Sequence, residues 1–324
     1  MPAASANAPR VLCTGIIVLD EVFRVEEFPR YDGKVEAQEF FIVNGGCAAN
    51  AAVAVARLGG RALLAGPLGG PPGKDDNGDR VMAALNREQI DTTGCQRVDG
   101  LSTALSAIFI DARGERTIVT YRDKRIAAVT PRDPQSLGAV ADIVLADNRL
   151  PQFVRPICEA ARRKQLRVVL DADKATVADD ALFGIATHVI FSAECLAATS
   201  GRTDLAEGLR VIARHSAAFL AVSNGADDIV YLDGGAVCRV PVFQVRAVDT
   251  LGAGDALHGG FALALAEGQN QAQALRFGAA VASLKCTRVG GSGGTPRRPE
   301  VEALLAGSSD VIPGRGQSPR ARNP

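Results

Sequence analysis

Short, evenly apolar runs alternate along the chain with longer stretches in which apolar residues recur every three or four positions. Arg10–Val18 (RVLCTGIIV, ending near Gly15), Arg61–Leu64, Asp142–Ala146 (DIVLA), Arg167–Leu170 (RVVL), His188–Phe191 and Phe219–Val222 predict buried strands. Cys47–Leu58, Asp75–Gln89, Phe153–Lys164 and Asp204–Arg214 predict helices, the first closed by Gly59-Gly60. Two more helices are expected at about Gly254–Ala266 and Gln271–Arg288. Strand–helix alternation of this kind predicts βαβ units, hence a doubly wound, mostly parallel sheet with helices on both faces. Two stretches follow a different rhythm. Glu21–Val43 alternates apolar and polar residues around Pro29 and Asp32-Gly33, and Ala104–Tyr121 reads strand, Asp-Ala-Arg-Gly turn, strand. Both predict antiparallel hairpins with one wet face, grouped in a small lid sheet beside the main one.

Composition fits this picture. The chain has 324 residues, 47% hydrophobic and 22% charged, enough apolar material for one large α/β domain with a small appendage. The expected domain spans residues 10–305, with the lid at about 20–44 and 104–121. The polar stretches 1–9 and 306–324 are expected to be flexible tails. Lys+Arg and Asp+Glu are both 36, which disfavours nucleic acid as a partner. No apolar run reaches the roughly 18 residues of a membrane span, and Met1–Pro9 has no basic-then-apolar pattern of a secretory signal. Seven dispersed cysteines without C-x-x-C, and three histidines without ligand spacing, predict neither disulfides nor zinc, and point to a reducing cytoplasm.

The chemistry concentrates in Ala247–Phe261, AVDTLGAGDALHGGF. Gly252, Ala253 and Gly254 are small residues directly before a helix, where the backbone can turn successive N–H groups toward one point. The helix N-terminus adds partial positive charge, and the result is a hole suited to a phosphoryl group. Asp255 stands at its mouth and can accept a proton from an attacking hydroxyl; taken alone, it also reads as an ordinary helix cap. A P-loop is excluded, since Gly73-Lys74-Asp75 lacks the Ser/Thr and the upstream Gly spacing.

Asp249, Thr250, Gly252, Ala253, Gly254, Asp255 and Gly259 together resemble the second signature of the PfkB (ribokinase-like) carbohydrate kinases. Asn44–Asn50 (NGGCAAN) resembles the first, G-G-x-x-x-N, through Gly45, Gly46 and Asn50; Gly15 and Asp20 match an early G-x-x-x-x-D. Asp75–Gly78 resembles the D-x-x-G loop, and Ser223-Asn224-Gly225 stands where the family has T-x-G. The resemblance runs from about residue 11 to 305. It implies a ribokinase-like fold, ATP with Mg²⁺ as cofactors, Asp255 as the base, and the Gly252–Gly254 amides as the phosphoryl hole. It also implies nucleotide contacts from Ser223, Gly225, Thr250, Gly252, Gly254 and Lys285, a K⁺ site near Asp249, and a homodimer formed through the lid. One departure stands out: the family's N-x-x-E is here Ser192-Ala193-Glu194-Cys195.

On the sugar side the resemblance implies Asp20, Gly45, Gly46 and Asn50. The strings VLADNR, VVLDAD, GKVEA and ASLKCTRVGG are similar to the 6-deoxy-6-sulfofructose kinase branch, in which a lid Lys, a lid Asn and an Arg after A-D-x hold a sulfonate. Lys34 and Arg149 match, and Thr120 stands at the Asn position. The expected activity is therefore ATP-dependent phosphorylation of a ketose carrying an anionic C6 group. A kinase of a neutral or phosphorylated sugar, and a non-catalytic sugar sensor, remain the alternatives.

Overall fold

The computed structural model describes residues 7–307. The chain enters through β1 (Arg10–Thr14), β2 (Val18–Arg24) and β3 (Glu39–Gly45), then α1 (Cys47–Arg57), β4 (Arg61–Ala65), β5 (Pro67–Gly70) and α2 (Asp76–Arg87). Next come β6 (Gln96–Asp99), β7 (Ala104–Ile110), β8 (Arg116–Tyr121), α3 (Pro134–Ala139), β9 (Ile143–Asp147), α4 (Pro151–Arg163) and β10 (Arg167–Ala172). The second half runs α5 (Ala181–Ile185), β11 (His188–Ser192), α6 (Ala193–Ser200), α7 (Leu205–Ile212), β12 (Phe219–Asn224), β13 (Asp227–Asp233) and β14 (Ala236–Val240). It closes with α8 (Ala253–Ala266), α9 (Gln271–Cys286) and α10 (Arg298–Ala306).

The main sheet has the order β14-β13-β12-β11-β10-β9-β1-β4. The six strands from β12 to β4 are parallel, and β13 and β14 add an antiparallel edge. The parallel strands are apolar because helices cover both faces; β9 is buried along its whole length. One core cluster joins the sheet to α1, α8 and α9, and a second lies under α4, α6 and α7. Helices α1 and α8 pack closely enough that a Cβ on Gly259 would lie 2.7 Å from the carbonyl oxygen of Ala51. All seven cysteines are free thiols, and among the described residues no helix is long and apolar enough to cross a membrane.

The two expected hairpins form one four-stranded sheet, β3-β2-β7-β8. Their junction, not foreseen from the sequence, is a parallel pairing of β2 with β7. Other elements also went unread: the short helices α3, α5 and α6, the β5–β6 pair, α10, and the β13–β14 hairpin, whose Gly234 and Gly235 carry φ of 55° and 88°. Asp233-Gly234-Gly235 is a legible turn signal for that hairpin. Of the expected tails, residues 1–6 and 308–324 lie outside the described residues. Pro9 is already tied to the sheet edge, its carbonyl accepting from Arg61 N at 2.9 Å.

Alternation sorts the small sheet into two faces. Cross-strand pairing puts Asp20, Ser106 and Thr120 in one row, with Val22, Ile108 and Phe41 along the same face. That face packs on Leu251 and so looks toward the N-terminus of α8. The opposite face carries Phe23, Phe40, Ile42, Phe109, Val119 and Tyr121.

Candidate active site

The site lies at the carboxyl ends of β9–β12, the usual ligand edge of an open α/β sheet, where the N-termini of α1 and α8 converge. Gly252 caps α8 with φ of 75°, a left-handed conformation that lets Ala253 and Gly254 begin the helix with their N–H groups at its open end. Asp255 sits in that first turn, half-buried. Its Oδ2 accepts from Asn50 Nδ2 at 2.7 Å, so α1 and α8 are joined at the reactive carboxylate. Asn50 is 5% exposed, and its Oδ1 is buried without a partner. A buried acceptor in that state is costly unless something donates to it, and a sugar hydroxyl is such a donor. Burial raises the Asp255 carboxyl above the ordinary range; Asn50 opposes the rise, and the negative Asp173 adds to it.

Beneath Asp255 lies a pair that motif reading missed. His258, one turn further along α8, is 3% exposed. Its Nδ1 is 2.7 Å from the carbonyl oxygen of Gly254, so that nitrogen carries a proton. Its Nε2 faces the carbonyl oxygen of Ile190 at 3.3 Å and Asp171 Oδ1 at 3.5 Å. Both ring nitrogens thus face oxygen acceptors, and Asp171 is the carboxylate beside Nε2. Burial is the largest influence on both, raising the Asp171 carboxyl well above its ordinary value and lowering the His258 imidazole. Ligand atoms of Cys47, Asp171 and Asp255 lie within 4.8 Å of one another.

Above Asp255 stands the polar row of the small sheet. Asp20 is buried, and desolvation lifts its carboxyl to about 7 against the opposing hydrogen bond from Ser106. Ser106 Oγ in turn lies 3.2 Å from Thr120 Oγ1. Gly45 leaves room for Asp20: a Cβ there would fall 2.0 Å from Asp20 Oδ2. Gly46 follows as the N-cap of α1. Asp20, Gly45, Gly46, Asn50, Thr120 and Asp255 are thus brought into one region, with Ser106 as a member absent from the sequence reading. Lys34 is exposed in the β2–β3 connection. Among the described residues no hydrogen bond or ion pair links it to the others.

Arg149 follows β9 at the rim. Its backbone N donates to Asp147 Oδ1 at 2.9 Å, but its guanidinium pairs with Asp173 rather than with Asp147. Asp147 itself is fixed by Ile16 N at 2.7 Å. The Arg149 Nε is buried without a partner, and so is the Nε of Arg122, just past β8. Burial first, and then the charge of Arg149, lower the Arg122 pKa, while Asp147 opposes the fall. Two arginines with unspent donors therefore share this rim; nothing local to Arg122 marks it in the sequence.

On the nucleotide side, Ser223 is the penultimate residue of β12, its hydroxyl donating to Phe191 O at 3.3 Å, and Gly225 forms the exposed turn that follows the strand, with φ of 59°. Thr250 is exposed, its Oγ1 accepting from Arg116 Nη1 at 2.7 Å. Lys285 requires a correction. It is 0% exposed, and its Nζ donates to Asp249 O at 2.9 Å with Asp249 Oδ2 at 3.1 Å, so burial keeps it from contacting a nucleotide. The expected K⁺ position near Asp249 does not fit either. The Asp249 carboxylate is filled by Leu251 N at 2.8 Å, Gly290 N and Gly291 N at 3.0 Å, and that same ammonium. The Mg²⁺ pair is likewise not reproduced. Ser192 is occupied capping α6 through Cys195 N at 3.2 Å, and Cys195 is 2% exposed and faces the core.

Comparison with known proteins bears on the family and the fold. The family model described as "pfkB family carbohydrate kinase" matches residues 8–298. The chain is 29% identical over 304 residues to the ribokinase of Bacillus subtilis, covering 92% of this chain and 100% of that protein. A solved protein of Agrobacterium tumefaciens superposes with a TM-score of 0.88 at 38% identity, covering 93% of this chain and 99% of that one. The fructokinase of Xylella fastidiosa, solved with bound ATP, gives a TM-score of 0.75 at 26% identity, covering 93% and 99%. With both signatures assembled at one site and the match running through the domain, the chain belongs to the pfkB family of carbohydrate kinases.

Proposed function

We propose that this sugar kinase transfers the γ-phosphoryl group of ATP to a hydroxyl of a ketose bearing an anionic group, such as 6-deoxy-6-sulfofructose. The observation that carries the anionic part is the pair Arg122 and Arg149, each with a buried Nε that has no partner. Guanidinium donors left unspent beside a sugar pocket suit a sulfonate, phosphate or carboxylate, which accept several N–H bonds at once.

The chemistry asks for little covalent work from the protein. Asp20, Ser106 and Asn50 offer hydrogen bonds to sugar hydroxyls from opposite sides of the pocket. The reacting hydroxyl lies against Asp255, whose Asn50-bound carboxylate takes its proton. The freed oxygen lone pair attacks the γ-phosphorus in line, the bond to the ADP oxygen breaks, and its electrons leave with ADP. The N–H groups of Gly252–Gly254 face the charge on the transferring oxygens. The small sheet covers the pocket, which excludes water as a competing acceptor. Mg²⁺ would come with the nucleotide's phosphates and offset part of their charge.

The test is ADP release with Mg·ATP against sulfonated, phosphorylated and neutral ketoses. Arg149→Ala should raise KM for the anionic sugar about 10- to 100-fold, the worth of one charge-assisted hydrogen bond, and change a neutral sugar's KM much less. Equal effects would remove the anion from the reading and leave a kinase of neutral sugars.

We also infer a homodimer through the small sheet. Phe40 is 53%, Val119 63% and Tyr121 60% exposed on its outer face, beside the packed rings of Phe23, Phe40 and Phe109. The face belongs to a sheet whose other side is committed to the site, so a second copy offers the matching apolar surface. Val119→Asp should convert a dimer to a monomer in light scattering; an already monomeric wild type refutes it.

A further inference from the structure

The cation position beside the phosphoryl hole is filled from within the chain. Asp249 is the residue from which the hole is hung. Its Oδ1 accepts from Leu251 N, one residue before Gly252, and its Oδ2 accepts from Gly290 N and Gly291 N across the pocket edge. Its backbone N and that of Val248 donate to Cys286 O at 3.2 and 2.8 Å. The carboxylate is 6% exposed, so its charge needs a neutralising partner close by. That partner is the Lys285 ammonium, wholly buried at the end of α9, touching both the carboxylate and the carbonyl of Asp249. A carboxylate oxygen and a carbonyl oxygen on one small cation are the kind of ligands a potassium ion takes, and an ammonium is close to K⁺ in size.

We propose that Lys285 is a tethered internal cation that shapes the Asp249–Gly254 loop, and that this kinase therefore works without a bound monovalent metal ion. A free ion leaves when its concentration falls; an ammonium on a packed side chain cannot. Lys285 acts through the loop and not on substrate, so it is a positioning residue. The inference rests on the kinase activity and not on which sugar is accepted.

The test compares turnover and ATP affinity of the wild-type enzyme in tetramethylammonium and in potassium salts at equal ionic strength. The expected change is less than about twofold, since only screening of exposed charges differs little between them. A rise of about tenfold or more with K⁺, the effect expected of an ion that positions reacting groups, overturns the proposal without need of a variant. Lys285→Ala leaves a cavity and should lose about 100-fold in turnover, recovered with K⁺ or NH₄⁺ but not with tetramethylammonium. Lys285→Met fills the cavity and should be equally impaired without recovery. Thermal unfolding of the alanine variant, raised by K⁺ or NH₄⁺, reads the same site independently of any sugar, so silence across the sugar panel leaves this result legible. A folded alanine variant indifferent to both ions in activity and in unfolding refutes the proposal.

Discussion

Asp255→Asn should lower kcat by about 10²- to 10⁴-fold, the usual contribution of a positioned general base, while ATP binding survives. The substitution keeps the shape of the side chain and an oxygen for the Asn50 Nδ2 donor, which is 2.7 Å from Oδ2 in the native site. What is lost is the capacity to take a proton. Burial and the charge of Asp173 hold the native carboxyl above the ordinary range. The base form therefore exists only above that raised value, and kcat/KM should fall on the acid side at a higher pH than an exposed aspartate would give. Removing a negative neighbour tests the sign: Asp173→Asn should move that acid limb to lower pH. Near-wild-type turnover in Asp255→Asn would dismiss this residue as the base.

Asp249→Ala should destabilise the fold by about 3–5 kcal/mol, the cost of stranding one member of a buried pair. Lys285 is 0% exposed and has no route to water. Three backbone N–H groups, of Leu251, Gly290 and Gly291, lose their acceptor in the same change. The melting temperature should drop by roughly 6–12 °C, with turnover reduced in whatever remains folded. An unchanged melting curve would show that the pair contributes no stability.

Much of the architecture is legible because its signals are local. The parallel strands read as apolar runs because both of their faces are covered, and the helices between them carry their own periodicity. The reactive string reads as well. Gly252, Ala253, Gly254 and Asp255 are consecutive, and a helix N-terminus needs no distant residue to present its amides. Asp20, Gly45 and Asn50 lie within their own short strings and were expected on the sugar side. The reach of local signals also explains what was missed. The β2–β7 pairing joins segments separated by 79 residues or more in the chain, and alternation marks the faces of a strand but not its neighbour.

Composition, periodicity and the two signatures by themselves determined a doubly wound domain with a separate small sheet, and a carboxylate at the mouth of an amide-lined hole. Tertiary structure alone decided the surroundings of that carboxylate. It joined Asn50 to Asp255, slid the His258–Asp171 pair beneath it, and brought Arg122 to the same rim as Arg149. It also turned Lys285 inward to Asp249, where the sequence read a nucleotide contact. The physical reason is common to all four. Charge, desolvation and hydrogen-bond supply act over a few ångströms of space, and those ångströms are set by how α1, α8, α9 and the strand ends pack, not by position along the chain.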